Sequence, residues 1–166
     1  MPRLIMVLSV AALLLSTSAA SAQVKWYKHK SKKYKIQVCL NTGMKLKATR
    51  KGKWGVLSAK ERGVKLLVMA YTGTLSFKTL QAVAVKVSKI PGRYWKSTRK
   101  SKAWHGFGRN ATYLATGADS VAIAFLAKHG KYIDRNYVVL IGTSKANFKK
   151  KFKAFKAWGN CLAALP

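Results

Sequence analysis

Cations interleaved with aromatic rings are the residues of this chain best suited to chemistry. "RYWKSTRKSKAWHGFGR" (Arg93–Arg109) holds six Lys and Arg together with Tyr94, Trp95, Trp104 and Phe107. "KWYKHKSKKYK" (Lys25–Lys35) holds six Lys with Trp26, Tyr27 and Tyr34. Ammonium and guanidinium groups bind phosphate, sulfate or carboxylate, and rings stack on bases or sugar faces. The candidate ligand-binding residues are therefore Arg93, Tyr94, Trp95, Lys96, Arg99, Lys100, Lys102, Trp104 and Arg109, with Lys25, Trp26 and Lys28 from the second stretch. For any single lysine the plainer reading is solvated surface, and for any single ring it is core packing.

Catalytic groups are scarce. Paired carboxylates for acid–base work need two Asp or Glu close together, and the chain has only Glu61, Asp119 and Asp134. Asp119 falls in an expected turn, Asp134 near a strand start, and Glu61 between Lys60 and Arg62. Each reads as a turn or ion-pair residue. His29, His105 and His129 have no metal-ligand spacing, and there is no nucleophile elbow or phosphate-binding loop. A Ser120–His105–Asp119 set would have to be assembled in space. The expectation is no catalytic residue, no metal site and no cofactor.

Charge is the dominant global feature. Lys and Arg number 33 against three Asp and Glu, a net +30. Self-repulsion at that level costs stability, keeps the protein soluble and draws it to polyanions. Counterion release makes polyanion binding hard to avoid at low salt. The expected partners are an anionic polymer, an anionic membrane surface or an acidic protein. No helix-turn-helix, zinc-finger or RNP-type pattern points to sequence-specific nucleic acid recognition.

The N-terminus reads as an address. Arg3 precedes the apolar run "LIMVLSVAALLL" (Leu4–Leu15), and "STSAASA" places Ala20 and Ala22 at small-residue cleavage positions. Cleavage after Ala22 is expected, with secretion or periplasmic location and a mature net charge of about +29. Residues 23–33 read as a basic flexible tail and residues 34–166 as one domain. Cys39 and Cys161, both in the exported part, are expected to pair.

Periodicity supplies the elements. "YKIQVCL" (Tyr34–Leu40) alternates, with Tyr34, Ile36, Val38 and Leu40 on one face. "RKGKWG" (Arg50–Gly55) reads as a turn, between short strand candidates at Met44–Ala48 and Val56–Ser58. "VKLLVMAY" (Val64–Tyr71) is nearly all apolar and needs cover on both faces. Leu75–Ile90 has helical spacing, with Thr74 as N-cap and Pro91-Gly92 as the stop. Arg93–Gly108 reads as an irregular or strand-like connection. Asn110–Thr116, Ser120–Lys128 and Tyr132–Gly142 follow as a meander, and Ser144 N-caps a last helix. The expected fold class is α+β, a single antiparallel sheet packed with helices.

In the last helix, "SKANFKKKFKAFKAWGNC" (Ser144–Cys161), Phe148, Phe152, Phe155, Trp158 and Leu162 form one stripe. Lys145, Lys149, Lys153 and Lys156 lie outside it, and Lys151 snorkels from within. A packing helix tied by Cys161 is expected, rather than a membrane-inserting one.

This order of elements resembles the PsbP/Mog1-like α/β/α sandwich of small exported proteins, over about Tyr34–Leu162. "YKIQVCL" opens the sheet, "VKLLVMAYTG" leads into the "LSFKTLQAVAVKV" helix, and "GFGRNATYLATGADSVAIAFLAKHGKYIDRNYVVLIGTS" supplies the meander, with Gly106-Phe107-Gly108 before its first strand. The resemblance implies binding and accessory roles without a shared catalytic site, and it carries over no functional residue. The extreme charge departs from that pattern. Together these features favour an exported, non-catalytic protein that associates with lipopolysaccharide, acidic glycan or extracellular DNA. The alternatives are a secreted cationic membrane-permeabilising effector and a hydrolase of an anionic polymer.

Overall fold

The structure, a computed structural model, describes residues 26–41, 43–128 and 135–166, the side chain of Lys156 excepted. The expected signal segment, Lys25, His129 and Asp134 lie outside the described residues.

Ten strands form two antiparallel sheets, which corrects the expectation of one. The smaller holds β1 (Trp26–Ser31), β2 (Ile36–Asn41) and β10 (Ala163–Ala164), in the order β1-β2-β10. The larger holds β3 (Lys47–Lys51), β4 (Trp54–Glu61), β5 (Val64–Thr72), β6 (Trp95–Ser101), β7 (Asn110–Thr116), β8 (Ser120–Ala127) and β9 (Arg135–Ser144). Its order is β3-β4-β5-β9-β8-β7-β6. The sequence order alone hid the division, because β2 alternates like any strand of the main sheet and finds its second partner only in the last residues of the chain.

Two apolar cores lie on the two faces of the larger sheet, and side-chain alternation sorts residues between them. On β9, Tyr137, Val139 and Ile141 enter one core, while Val138 and Leu140 enter the other. On β5, Leu66, Val68 and Ala70 face the first, and Leu67 and Met69 the second. The doubly covered strand expected from "VKLLVMAY" is therefore β5. Tyr34, Ile36, Val38 and Leu40 are all buried in the first core, as their alternation requires.

Helix α1 (Phe77–Ser88) covers the second core with Leu80 and Ala84, both fully buried. Its N-cap is Ser76 rather than Thr74, since the Ser76 Oγ accepts the Thr79 N–H at 3.0 Å. It ends at Lys89, which takes a left-handed conformation (φ 60°) and donates its N–H to the Val85 carbonyl. Pro91 follows and cannot extend the helix.

The C-terminal helix is two short ones, α2 (Lys145–Lys150) and α3 (Phe152–Trp158), broken at Lys151. Ser144 caps the first as expected, accepting the Asn147 N–H at 3.2 Å. Phe155 and Trp158 enter the first core beside β2, and the Trp158 indole donates to the Cys39 carbonyl at 3.1 Å. Cys39 and Cys161 are joined with Cα atoms 5.9 Å apart. Cys161 ends a 3-10 turn, Gly159–Cys161, that feeds β10 along the free edge of β2. That path lets the chain reach Cys39 although its side chain opposes those of Val38 and Leu40.

The expected basic tail is corrected as well. Trp26–Ser31 is a paired strand, with Trp26 opposite Asn41 and Ser31 opposite Ile36. Within "RKGKWG" only Gly52 and Lys53 form the hairpin turn; β3 lies three residues later than expected, and β4 is longer than the sequence suggested.

Candidate functional site

The three most cationic strands are sheet edges. Lys28 and Lys30 lie on β1, Lys47, Arg50 and Lys51 on β3, and Lys96, Arg99 and Lys100 on β6. Each of these strands has a neighbour on one side only. The interior strands β2, β7 and β8 hold no Lys or Arg at all. Exposed edges invite pairing with another chain, and lysines there suppress it. The cation runs singled out in the sequence thus mark edges as well as any ligand surface.

The aromatic partners of those cations mostly turn inward. Trp95 is 9% exposed, packs on Tyr113 with ring centroids 5.8 Å apart, and donates its indole N–H to the Ile90 carbonyl at 3.0 Å. It is an anchor for the β6 edge, and its place among ligand-stacking residues is corrected accordingly. Trp104 is half-buried; its ring lies 4.1 Å from that of His105 and 5.5 Å from that of Phe125, with the Arg99 guanidinium 4.6 Å above it. Trp26 donates to the Ala154 carbonyl at 3.0 Å and meets Phe155 edge-on. The rings were placed by strand alternation against a core, and sequence composition cannot show which face looks inward.

Tyr27 and Tyr94 are the rings of these stretches that stay exposed, and the rest of the exposed surface here is mainly cationic. Lys96, Arg99, Lys100, Lys102 and Arg109 are exposed, as is Arg93, which lies 4.9 Å from the Tyr94 ring. Arg109 covers the ring of Phe77 at 5.4 Å. A register shift between Ser97 and Arg99 brings Lys96 and Arg99 to one face of β6. Lys28 is exposed on β1, but β2 and β10 separate that strand from the 104–107 turn, where Ala164 donates its N–H to the His105 carbonyl. The two sequence stretches are therefore not brought together.

Nor is the Ser120–His105–Asp119 set. Ser120 opens β8 on the face that α1 shares, whereas Trp104 and its stacked His105 pack near Phe125, towards the far end of β8 on the other face. The His105 ring Nδ1 lies 3.0 Å from the Leu162 carbonyl. Among the described residues, no three of His, Cys, Asp and Glu come together.

A site that the sequence reading did not single out lies on the α1 face of the larger sheet. Helix α1 packs mainly over β9 and β8, and on the same face Trp54, Val56 and Leu67 are only partly buried. The register sets this face as rows: Lys51, Trp54 and Tyr71; Thr49, Val56 and Met69; Lys47, Ser58 and Leu67; and last Lys60 directly opposite Lys65. Trp54 and Tyr71 stack at 5.0 Å and are only half-buried. Where this face meets the C-terminal end of α1, a groove of about 1070 Å³ opens. Leu67, Leu140, Ala122 and Val87 line it, and Lys60, Lys65 and Lys89 reach it from both walls. Like charges directly opposite on a sheet destabilise it, so the Lys60–Lys65 pair is a standing cost that a bound anion would relieve. Glu61 and Asp119 also line the groove, and Glu61 pairs with Arg62 at 3.4 Å. The signal was present in the sequence as "KERGVK": Arg62 and Gly63, both at positive φ, form a two-residue hairpin turn that fixes Lys60 against Lys65.

No protein-family model matches the chain, and no curated protein matches it by sequence. Among solved structures, it is similar to cyanobacterial PsbP (CyanoP) from Synechocystis sp. PCC 6803, with a TM-score of 0.55 and 10% identity. The match covers 90% of this chain and 98% of that one. The fold is thus PsbP-like, an α+β sandwich; at that identity the likeness speaks for the fold alone.

Proposed function

We propose that this is an exported, non-catalytic binding or accessory protein that docks on anionic components of the cell envelope or its surroundings. The observation that carries the reading is unbalanced charge. The chain has 33 cations to three acids, and among the described residues a single ion pair, Arg62 with Glu61, is exposed at the surface. An exposed pair of that kind offsets little. The cations line the edges β3 and β6 and the open face between β3 and β5, so an extended polyanion finds cations on either side of the molecule. Export is supported by the Leu4–Leu15 run before small residues and by the Cys39–Cys161 disulfide, a bond at home in oxidising compartments.

The membrane-permeabilising alternative loses its main support in the C-terminal helices. Phe155 and Trp158 are 1% exposed, and the disulfide holds the end of this segment to β2. Only Phe152 of that apolar stripe is largely exposed. Co-sedimentation of the mature protein with vesicles tests both readings. Binding to anionic but not neutral vesicles, without release of an entrapped dye, is expected. Dye release at saturation would install the lytic reading instead.

A further inference from the structure

We infer that the groove between α1 and the larger sheet is a binding site for an anionic amphiphile, a phosphate head with one acyl chain. This deepens the polyanion reading and rests on it. Three observations on the groove combine. Its head end carries Lys60 and Lys65, held in direct cross-strand opposition, with Lys89 facing them from the end of α1. Two lysines at directly opposed strand positions can close on one multiply charged anion. Lys89 is presented by a left-handed backbone (φ 60°), a conformation that only a few per cent of non-glycine residues adopt.

The floor is the second observation. Leu67 and Leu140 lie side by side on neighbouring strands, and Val87 closes over them from α1. Ionic recognition alone has no use for such a surface. An acyl chain laid along it would be removed from water, a gain that grows with each buried methylene.

Gly142 is the third. It sits on the floor next to Leu140, and a Cβ built there would meet nothing nearer than the Val121 carbonyl at 3.7 Å. A side chain is sterically admissible at this position, and its absence keeps the floor low. The groove volume of about 1070 Å³ lies just above the usual range for small-molecule sites, roughly 300–1,000 Å³. An extended nucleic acid or glycan would use the flat face and leave this recess empty.

Titration of the mature protein with monomeric 1-oleoyl lysophosphatidic acid, followed by calorimetry, tests the site. Saturable 1:1 binding is expected, with inorganic phosphate and neutral mono-oleoylglycerol each at least tenfold weaker. The double substitution Lys60→Ser/Lys65→Ser should weaken lysophosphatidic acid at least tenfold, and it removes a repulsion, so folding is not at risk. Gly142→Leu should do the same without changing charge. Lys96→Ser/Lys100→Ser removes equal charge from β6 and should leave binding unchanged. Inorganic phosphate binding as tightly as the amphiphile, or the β6 double substitution acting as strongly as the groove pair, would overturn the proposal. Absent amphiphile binding by a protein that still holds to a heparin-like resin at physiological salt would sink this site alone. Loss of both would sink the polyanion reading beneath it.

Discussion

Gly55 and Tyr34 show how one residue type joins the two sheets. A Cβ at Gly55 would lie 2.0 Å from the Tyr34 ring, which crosses β4 there and donates its hydroxyl to the Thr49 carbonyl at 3.3 Å. Gly55→Ala should therefore destabilise by about 1–3 kcal/mol through overpacking, read as a lowered denaturant midpoint. Tyr137 is the second such joint. Fully buried, it donates its hydroxyl to the Tyr34 and Lys35 carbonyls at 2.9 and 3.2 Å. Burial pushes its pKa well above 10, opposed only by Arg135. The fold thus keeps the phenol protonated while the unfolded chain ionises near pH 10. Stability is complete below that pH and falls as pH rises through it. Tyr137→Phe should cost about 1–3 kcal/mol at neutral pH, because it takes the donor from the buried Tyr34 carbonyl. The loss falls on the Tyr34 carbonyl, since the Lys35 carbonyl still accepts from the Leu165 N–H. The substitution should also flatten the alkaline loss, measured by chemical denaturation between pH 8 and 11. The alternation of "YKIQVCL" was enough to show Tyr34 facing inward. That the ring crosses β4 at Gly55 was not legible, since the contact joins residues of different sheets.

Elements were legible wherever local periodicity met a strong boundary. β7 and the start of β8 stand where the turn chemistry puts them, and Ser144 caps its helix as read. The edge strands were hard to recognise for a physical reason. β3 and β6 have one neighbour each and little to bury, so they lack the apolar alternation that marks a strand. Lys96, Arg99 and Lys100 of β6 were read as ligand contacts, whereas they also guard unpaired backbone. Replacing Lys47, Arg50 and Lys51 together with threonine should leave the monomer folded and promote self-association, detected by light scattering. An unchanged monomer at high concentration would show that these cations do not protect the edge. At the C-terminus, the disulfide closes 122 residues of chain, for which loop entropy gives roughly 4–5 kcal/mol. Reduction should lower the thermal midpoint by a margin to match and should free the α3 segment from β2 before the larger sheet unfolds.

At the scale of the molecule, the sequence carried the charge and the order of elements, and both survive in the PsbP-like sandwich. The distribution of charge needed the register. Only pairing places Lys60 against Lys65 and lines up Lys47 and Lys51 beside Trp54 and Leu67, because these residues come from three strands. Likewise, no periodicity in "FKTLQAVAVKVS" could say that α1 would pack mainly over β8 and β9. The most direct test of polyanion docking is the elution of the mature protein from a heparin-like resin in a salt gradient. Retention well beyond about 0.15 M salt is predicted, where the screening length has fallen to about 8 Å and only closely matched charge persists. Elution below that concentration would contradict the account and leave the charge as a general surface property.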